Sequence, residues 1–453
     1  MEFPEQVLKE IEEILGVPNL KLEKDTNGQV KQITVKSVPS NSFKEYFNII
    51  KNSINKNFNS YEEEIDSIKK SYIIQRVVDN FIYENILSKG SDLEDEDILS
   101  LKKFEKELIK LSVQTYENRL CTASFILLKG LEGIESAADF LRKMEIDFLP
   151  FCKNDENILD WESINEYPAA YRIIDSLSIS YVLNNEYQII GLARKTKSGK
   201  SIKDICVNKI SKTMEYIYLE NRKVMWCLTN NKMFVFNNGS WKLKDYSIIE
   251  GILDDFTSNN AGKEFRENRK KENTVAFLSE IIIDLSKSNT GALFIILAKN
   301  FYENKKNKLG HSKCKDSTIL SKMTTGEKPG HSRYANIILK GRKNLALNRD
   351  SVDSYLIKLI ADVDGAVIFN KDLIILDFAR MIEEQTVDKD IIRQLIDVKE
   401  NNLIPEDFED KVHVKGGARS MATYEGSTFG LAIKVSEDGG ITIFKRRKVI
   451  LNL

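Results

Sequence analysis

Two short runs in the last third of the chain combine residue types suited to handling a phosphate group. The first is Asp364-Gly365-Ala366, a carboxylate beside a residue with no side chain, which lets the backbone approach a ligand closely. The second is Gly417-Ala418-Arg419-Ser420, in which Arg419 can grip phosphate oxygens with a planar fork of donors. Strand-like apolar runs accompany both, Val367-Ile368-Phe369 after the first and Leu431-Ala432-Ile433 after the second, and Glu437 adds a late carboxylate ahead of Gly439-Gly440. An isolated Asp-Gly-Ala is commonly a turn entering a strand, and an isolated arginine is commonly one half of a surface ion pair. Their order among other landmarks sets these apart.

The elements that must position them follow from hydrophobic spacing. Phe277, Leu278, Ile281, Ile282 and Leu285 predict a helix over 274–285, and Ser288-Asn289-Thr290 leads from it into the strand Gly291-Ala292-Leu293-Phe294-Ile295-Ile296-Leu297. A second helix ends near Ile360, just before Asp364, and the last run closes as Lys434-Val435-Ser436-Glu437-Asp438-Gly439. In this order the landmarks resemble the diadenylate cyclase domain family, the type found at the N-terminus of DNA-integrity-scanning proteins, and identify the chain as a divergent member. The resemblance implies a nucleotidyltransferase that condenses two ATP, or another nucleoside triphosphate, into a cyclic dinucleotide second messenger such as cyclic di-AMP. It implies Asp364 as the catalytic carboxylate and ligand of Mg2+ or Mn2+, with Gly365, Ala366, Gly417, Arg419, Ser420 and Glu437 around the nucleotide. It also implies one ATP per protomer, presented face to face in a homodimer or higher homo-oligomer.

The second motif departs from the family. Gly417-Ala418-Arg419-Ser420-Met421-Ala422 stands where the family has Gly-Thr-Arg-His-Arg-Ala, and Val363 replaces the histidine usual before the aspartate. At least one cation and one hydroxyl contact to phosphate are therefore missing, and such a contact can contribute several kcal/mol to a phosphoryl transition state. The alternative reading is a catalytically impaired nucleotide-binding sensor. Between the first strand and Asp364 lies a basic stretch with Lys305, Lys306, Lys308, Lys313, Lys315, Lys322, Lys328 and Arg333. It reads first as a solvated loop, and otherwise as a cover that returns charge to the triphosphate.

At 453 residues the chain exceeds what one core normally serves, and 42% hydrophobic with 30% charged residues describe a globular protein. A net charge of −1 favours no charged partner. No apolar run suits a membrane-spanning helix and the first residues are acidic, so a cytoplasmic location is expected, without membrane or dedicated DNA-binding domain. Five scattered cysteines, never in a CxxC pair, predict reduced thiols. The expected fold is α/β: a mainly helical region over 1–110, a smaller mixed α/β module with a sensor role over 111–262, and a nucleotide domain over 272–453 built on a mixed twisted sheet flanked by helices.

Other signals fail on spacing. The stretch from Gly191 to Ser201 resembles a P-loop, but Arg194 stands where the motif requires glycine. Of His311, Cys314 and His331 only the first two have the close spacing of a structural zinc site, which needs four ligands in such pairs. Lys445-Arg446-Arg447-Lys448 reads as a charged strand end.

Overall fold

Val7, Leu8, Ile11, Ile14 and Leu15 recur at helical spacing, and they form the buried face of α1 (Phe3–Leu15). Gly16 ends the helix at φ 64°, donating its N–H to the Glu12 carbonyl. The structure, a computed structural model, describes residues 2–35, 43–63, 67–87, 95–116, 119–131, 133–151, 174, 178–196, 201–229, 231–260, 270–298, 354–382 and 417–453. It divides into two compact units, Met1–Thr34 with Phe43–Ser247, and Val35–Ser42 with Ile248–Leu453.

In the first unit, β1 (Leu20–Lys24) and β2 (Val30–Val35) pair across a loop in which Asp25 Oδ1 accepts the N–H groups of Asn27 and Gln29, while Gly28 takes φ 81°. Three helices follow, α2 (Lys44–Glu63), α3 (Ser67–Leu87) and α4 (Asp95–Val113), then the short ribbon β3 (Thr115–Tyr116) and β4 (Arg119–Leu120). The remaining elements are β5 (Ser124–Leu128), α5 (Gly133–Lys143), β6 (Ile146–Pro150), β7 (Ile179–Leu183), β8 (Ile189–Lys195), α6 (Ile202–Lys209), β9 (Met214–Glu220), β10 (Lys223–Thr229), β11 (Lys232–Asn237) and β12 (Ser240–Asp245). Eight strands lie in the order β12-β11-β10-β9-β5-β7-β8-β6, antiparallel throughout except β5 with β7. Asn238 and Gly239, at φ 53° and 85°, make the tight turn expected of an Asn-Gly pair between β11 and β12.

A buried acid, Glu215, and a half-buried one, Glu105, are closed off in this unit. Glu215 accepts from Trp226 Nε1 at 2.7 Å and from Lys129; burial raises its pKa, opposed by Lys129 and Trp226. Glu105 accepts from Trp241 Nε1 at 2.5 Å and from the Tyr83 hydroxyl at 2.8 Å. These are structural networks with satisfied partners.

The second unit contains α7 (Ser247–Asn260) from its second residue onward, α8 (Lys270–Lys287), β13 (Ala292–Leu297), α9 (Ser354–Asp362), β14 (Ala366–Phe369), β15 (Ile375–Arg380), α10 (Ala418–Gly426), β16 (Gly430–Val435), β17 (Ile441–Lys445) and β18 (Lys448–Asn452). Its six-stranded sheet runs β15-β14-β13-β16-β17-β18, with β13 parallel to β14 and every other pair antiparallel. Every residue of β13 and of β14 is buried, which requires cover on both faces of the sheet. On one face Leu293, Ile295, Leu297, Ala366, Ile368, Phe429 and Ala432 form a cluster, with Ala422 of α10 against it. The mixed α/β sheet of this region therefore matches the expectation. Among the described residues no helix is long and apolar enough to cross a membrane.

Three local features are instructive. The aromatic-rich strand β9, buried along all but its last residue, pairs with both β5 and β10. Tyr187 adopts φ 61° in the turn that precedes β8. Arg446 and Arg447, at φ 52° and 61°, form the turn of the β17–β18 hairpin rather than a strand end. The basic stretch 305–333 and the His311, Cys314 and His331 group lie outside the described residues.

Candidate functional site

Strand register brings the two motifs to one end of the second unit's sheet. Ala292 opposes Val435, and Phe294 lies level with Val367. Because β14 runs parallel and β16 antiparallel to β13, the turn before β14 that holds Asp364, the start of β13 after Gly291 and the end of β16 before Ser436 lie at the same end of the sheet.

Gly417, Arg419, Ser420, Lys434, Ser436, Glu437 and Asp438 line a cavity of about 340 Å³ at that end. Four residues expected from the sequence, Gly417, Arg419, Ser420 and Glu437, meet here. Gly417 precedes α10 in extended conformation with no side-chain cap, so Arg419 and Ser420 fall in the helix's first turn. Arg419 Nη1 donates to Glu437 Oε1 at 3.3 Å, in a pair whose side chains are 32% and 79% exposed. An exposed pair of this kind contributes about 0–1 kcal/mol and yields readily to a stronger anion.

Asp364, Gly365 and Ala366 do not line this cavity. Asp364 is exposed in the turn between α9 and β14, whereas Ala366 is fully buried at the start of β14. Gly365 takes φ 116°, and a Cβ there would lie 2.6 Å from the Ala379 carbonyl carbon. Glycine is thus required by the fold itself at this position.

Several residues of the site were not singled out from the sequence. Lys434, the charged residue of β16, donates to Ser420 Oγ at 2.8 Å. Burial pushes its ammonium below the usual lysine range; Asp438 opposes that shift and Arg419 adds to it. Gly291 makes room for the arginine, because a Cβ on it would sit 2.1 Å from Arg419 Nη1. The turn carrying Glu437 and Asp438 is pinned from below, where Ser286 Oγ donates to the Gly439 carbonyl at 2.6 Å. A lysine inside an otherwise apolar strand was the available sequence signal, while the glycine's role depends on a contact across the fold.

The far end of α10 is locked. Arg447, 3% exposed, is ion-paired with Glu425, 6% exposed, and donates Nε to Thr428 Oγ1 at 2.9 Å. Its guanidinium lies 5.1 Å from the Tyr424 ring centroid, and its backbone N–H donates to Ser427 Oγ at 2.8 Å. The hairpin turn thus fixes the helix whose other end carries Arg419 and Ser420.

Among the described residues no group of three or more His, Cys, Asp or Glu is arranged to hold a metal. A lone exposed carboxylate at Asp364 suits Mg2+ or Mn2+ only in the form that arrives with a nucleotide, since such ions are often held by one carboxylate plus substrate phosphates.

No protein-family model matches this chain, and no curated protein does. Among solved structures, a double mutant of DacA from Staphylococcus aureus is similar at 14% identity and TM-score 0.23, over 41% of this chain and 90% of that one. A hypothetical membrane-spanning protein from Bacillus cereus is similar at 15% identity and TM-score 0.21, over 40% of this chain and 72% of that one. Scores of this size carry no weight for function.

Proposed function

We propose that the second unit is a nucleotide domain of the diadenylate cyclase type, which joins two ATP, or two molecules of another nucleoside triphosphate, into a cyclic dinucleotide, each 3′-hydroxyl attacking the other nucleotide's α-phosphate and releasing its β- and γ-phosphates as pyrophosphate. The observation that carries this reading is the convergence of the Asp-Gly-Ala turn and the Gly-Ala-Arg helix start at one end of a single sheet, beside a cavity lined by two cations. Arg419 binds phosphate oxygens, exchanging Glu437 for a more highly charged partner. The first turn of α10 and Ser420 add donors, and Asp364 orients the attacking 3′-hydroxyl. Mg2+ or Mn2+, held by Asp364 together with the nucleotide, would supply charge neutralisation at the triphosphate. Closing the ring needs a second nucleotide facing the first, hence a homodimer or higher homo-oligomer. The region preceding this domain takes the role of sensor.

The test is to incubate the purified chain with each nucleoside triphosphate and Mg2+ or Mn2+ and to identify products by mass spectrometry, with Asp364→Asn in parallel. A cyclic dinucleotide that disappears in the variant supports the enzyme and names its base. The replacement of the second motif's histidine and arginine by Ser420 and Met421 favours a second reading, a nucleotide-binding sensor. Saturable binding without product supports that one.

A further inference from the structure

We propose that Lys434, carried by β16 and seated on Ser420, is the second phosphate-binding cation of this pocket, supplied by the strand instead of the helix. This rests on the nucleotide reading above. Lys434 opposes Leu293 on one side and Thr442 on the other, in a strand interior to the sheet. Leu293 and its neighbour Ala432 belong to the apolar cluster beneath α10, so the lysine stem leaves that cluster and its ammonium emerges at the helix's first turn.

Burial of the Lys434 ammonium is costly and is offset only in part by nearby Asp438, with which, among the described residues, it forms no ion pair. Ser420, itself 5% exposed, takes one of its three donors. The serine hydroxyl accepts from Lys434 and so keeps its own proton for a further acceptor. Lysine and serine together present donors to the same cavity as Arg419, where a more highly charged anion would compete with the exposed carboxylates of Glu437 and Asp438. A triphosphate is the chemical class that fits, with one segment on Arg419 and another on Lys434 and Ser420. The residues differ from the helical arginine they replace, but the charge is restored at the same end of α10.

Calorimetric titration of the full chain with adenosine, AMP, ATP and inorganic tripolyphosphate tests this, comparing wild type with Lys434→Met. The expected loss grows with phosphate number: about ten- to hundredfold for ATP and tripolyphosphate, from the strength of charged hydrogen bonds, and none for adenosine. Should the variant unfold, acetic anhydride labelling of the wild-type chain reads the same contact, with ATP but not adenosine protecting Lys434. Equal ATP affinity in a folded variant, or an equal loss for adenosine and ATP, overturns the role of Lys434 and leaves the nucleotide reading standing. A wild-type chain that binds neither ATP nor tripolyphosphate overturns both.

Discussion

The two ends of α10 each carry an arginine–glutamate pair of the same composition and opposite character. At the C-terminal end, Arg447 and Glu425 are 3% and 6% exposed, and a threonine hydroxyl and a tyrosine ring complete the arginine's surroundings. At the N-terminal end, Arg419 and Glu437 are 32% and 79% exposed, with a single 3.3 Å contact beside a cavity. Burial and the number of fixed partners decide which pair fastens the fold and which can exchange its carboxylate for a ligand. A locked far end also gives the open end a stable platform, since a binding constellation must be held by a rigid element.

The largest effect that could break this comparison is on stability. Arg447→Met leaves Glu425 buried without its cation and should cost about 3–5 kcal/mol in urea unfolding of the second unit. A cost below about 1 kcal/mol, the range of a surface pair, would erase the distinction between the two ends. Arg419→Met should show the reverse profile: stability within about 1 kcal/mol of wild type, and ATP affinity lowered about tenfold or more by calorimetry.

Gly291→Ala sharpens the contrast further. The added methyl meets the end of a flexible side chain, so the arginine moves and the fold survives. Stability should change by roughly 1 kcal/mol or less while ATP affinity falls, and the double variant with Arg419→Met should bind no worse than Arg419→Met alone, because both changes remove one interaction.

The smallest expected effect is in pH dependence. Lys434, facing Asp438 and Arg419, titrates below the ordinary lysine range through burial. ATP affinity should therefore decline as pH rises through that lowered value, earlier than an exposed lysine would allow. The same shift has the opposite sign for stability: between the lowered and the ordinary pKa the unfolded chain binds the extra proton, so the contribution of this group to stability rises with pH. Affinity and urea stability measured across that range, in wild type and Lys434→Met, should differ in these directions, with both trends weakened in the variant.

Much of the second unit was legible because its signals are local. The unbroken apolar run of β13, the Asp-Gly-Ala turn and the glycine before α10 all report their own backbone state. Arg419, Ser420 and Glu437 could be named from the same runs. Lys434 and Gly291 could not, because their roles arise from strand register: one is set beneath a helix 14 residues away in sequence, and the other faces a guanidinium that enters from a distant segment. Arg447 was hidden for a related reason, since a run of four basic residues suggests solvent until the hairpin turn directs one of them inward. In the first unit the place of β9 between β5 and β10 was not legible, because it is fixed by pairing partners that include a strand far away in the chain.

The most direct test of the nucleotide site is a crystal structure of the full chain with magnesium and 3′-deoxy-ATP, which lacks the hydroxyl needed for ring closure. The account predicts the triphosphate between Arg419 and the Lys434–Ser420 pair, with Glu437 displaced from the arginine and Asp364 directed at the ribose. A nucleotide bound elsewhere, with the Arg419–Glu437 contact intact, would contradict it.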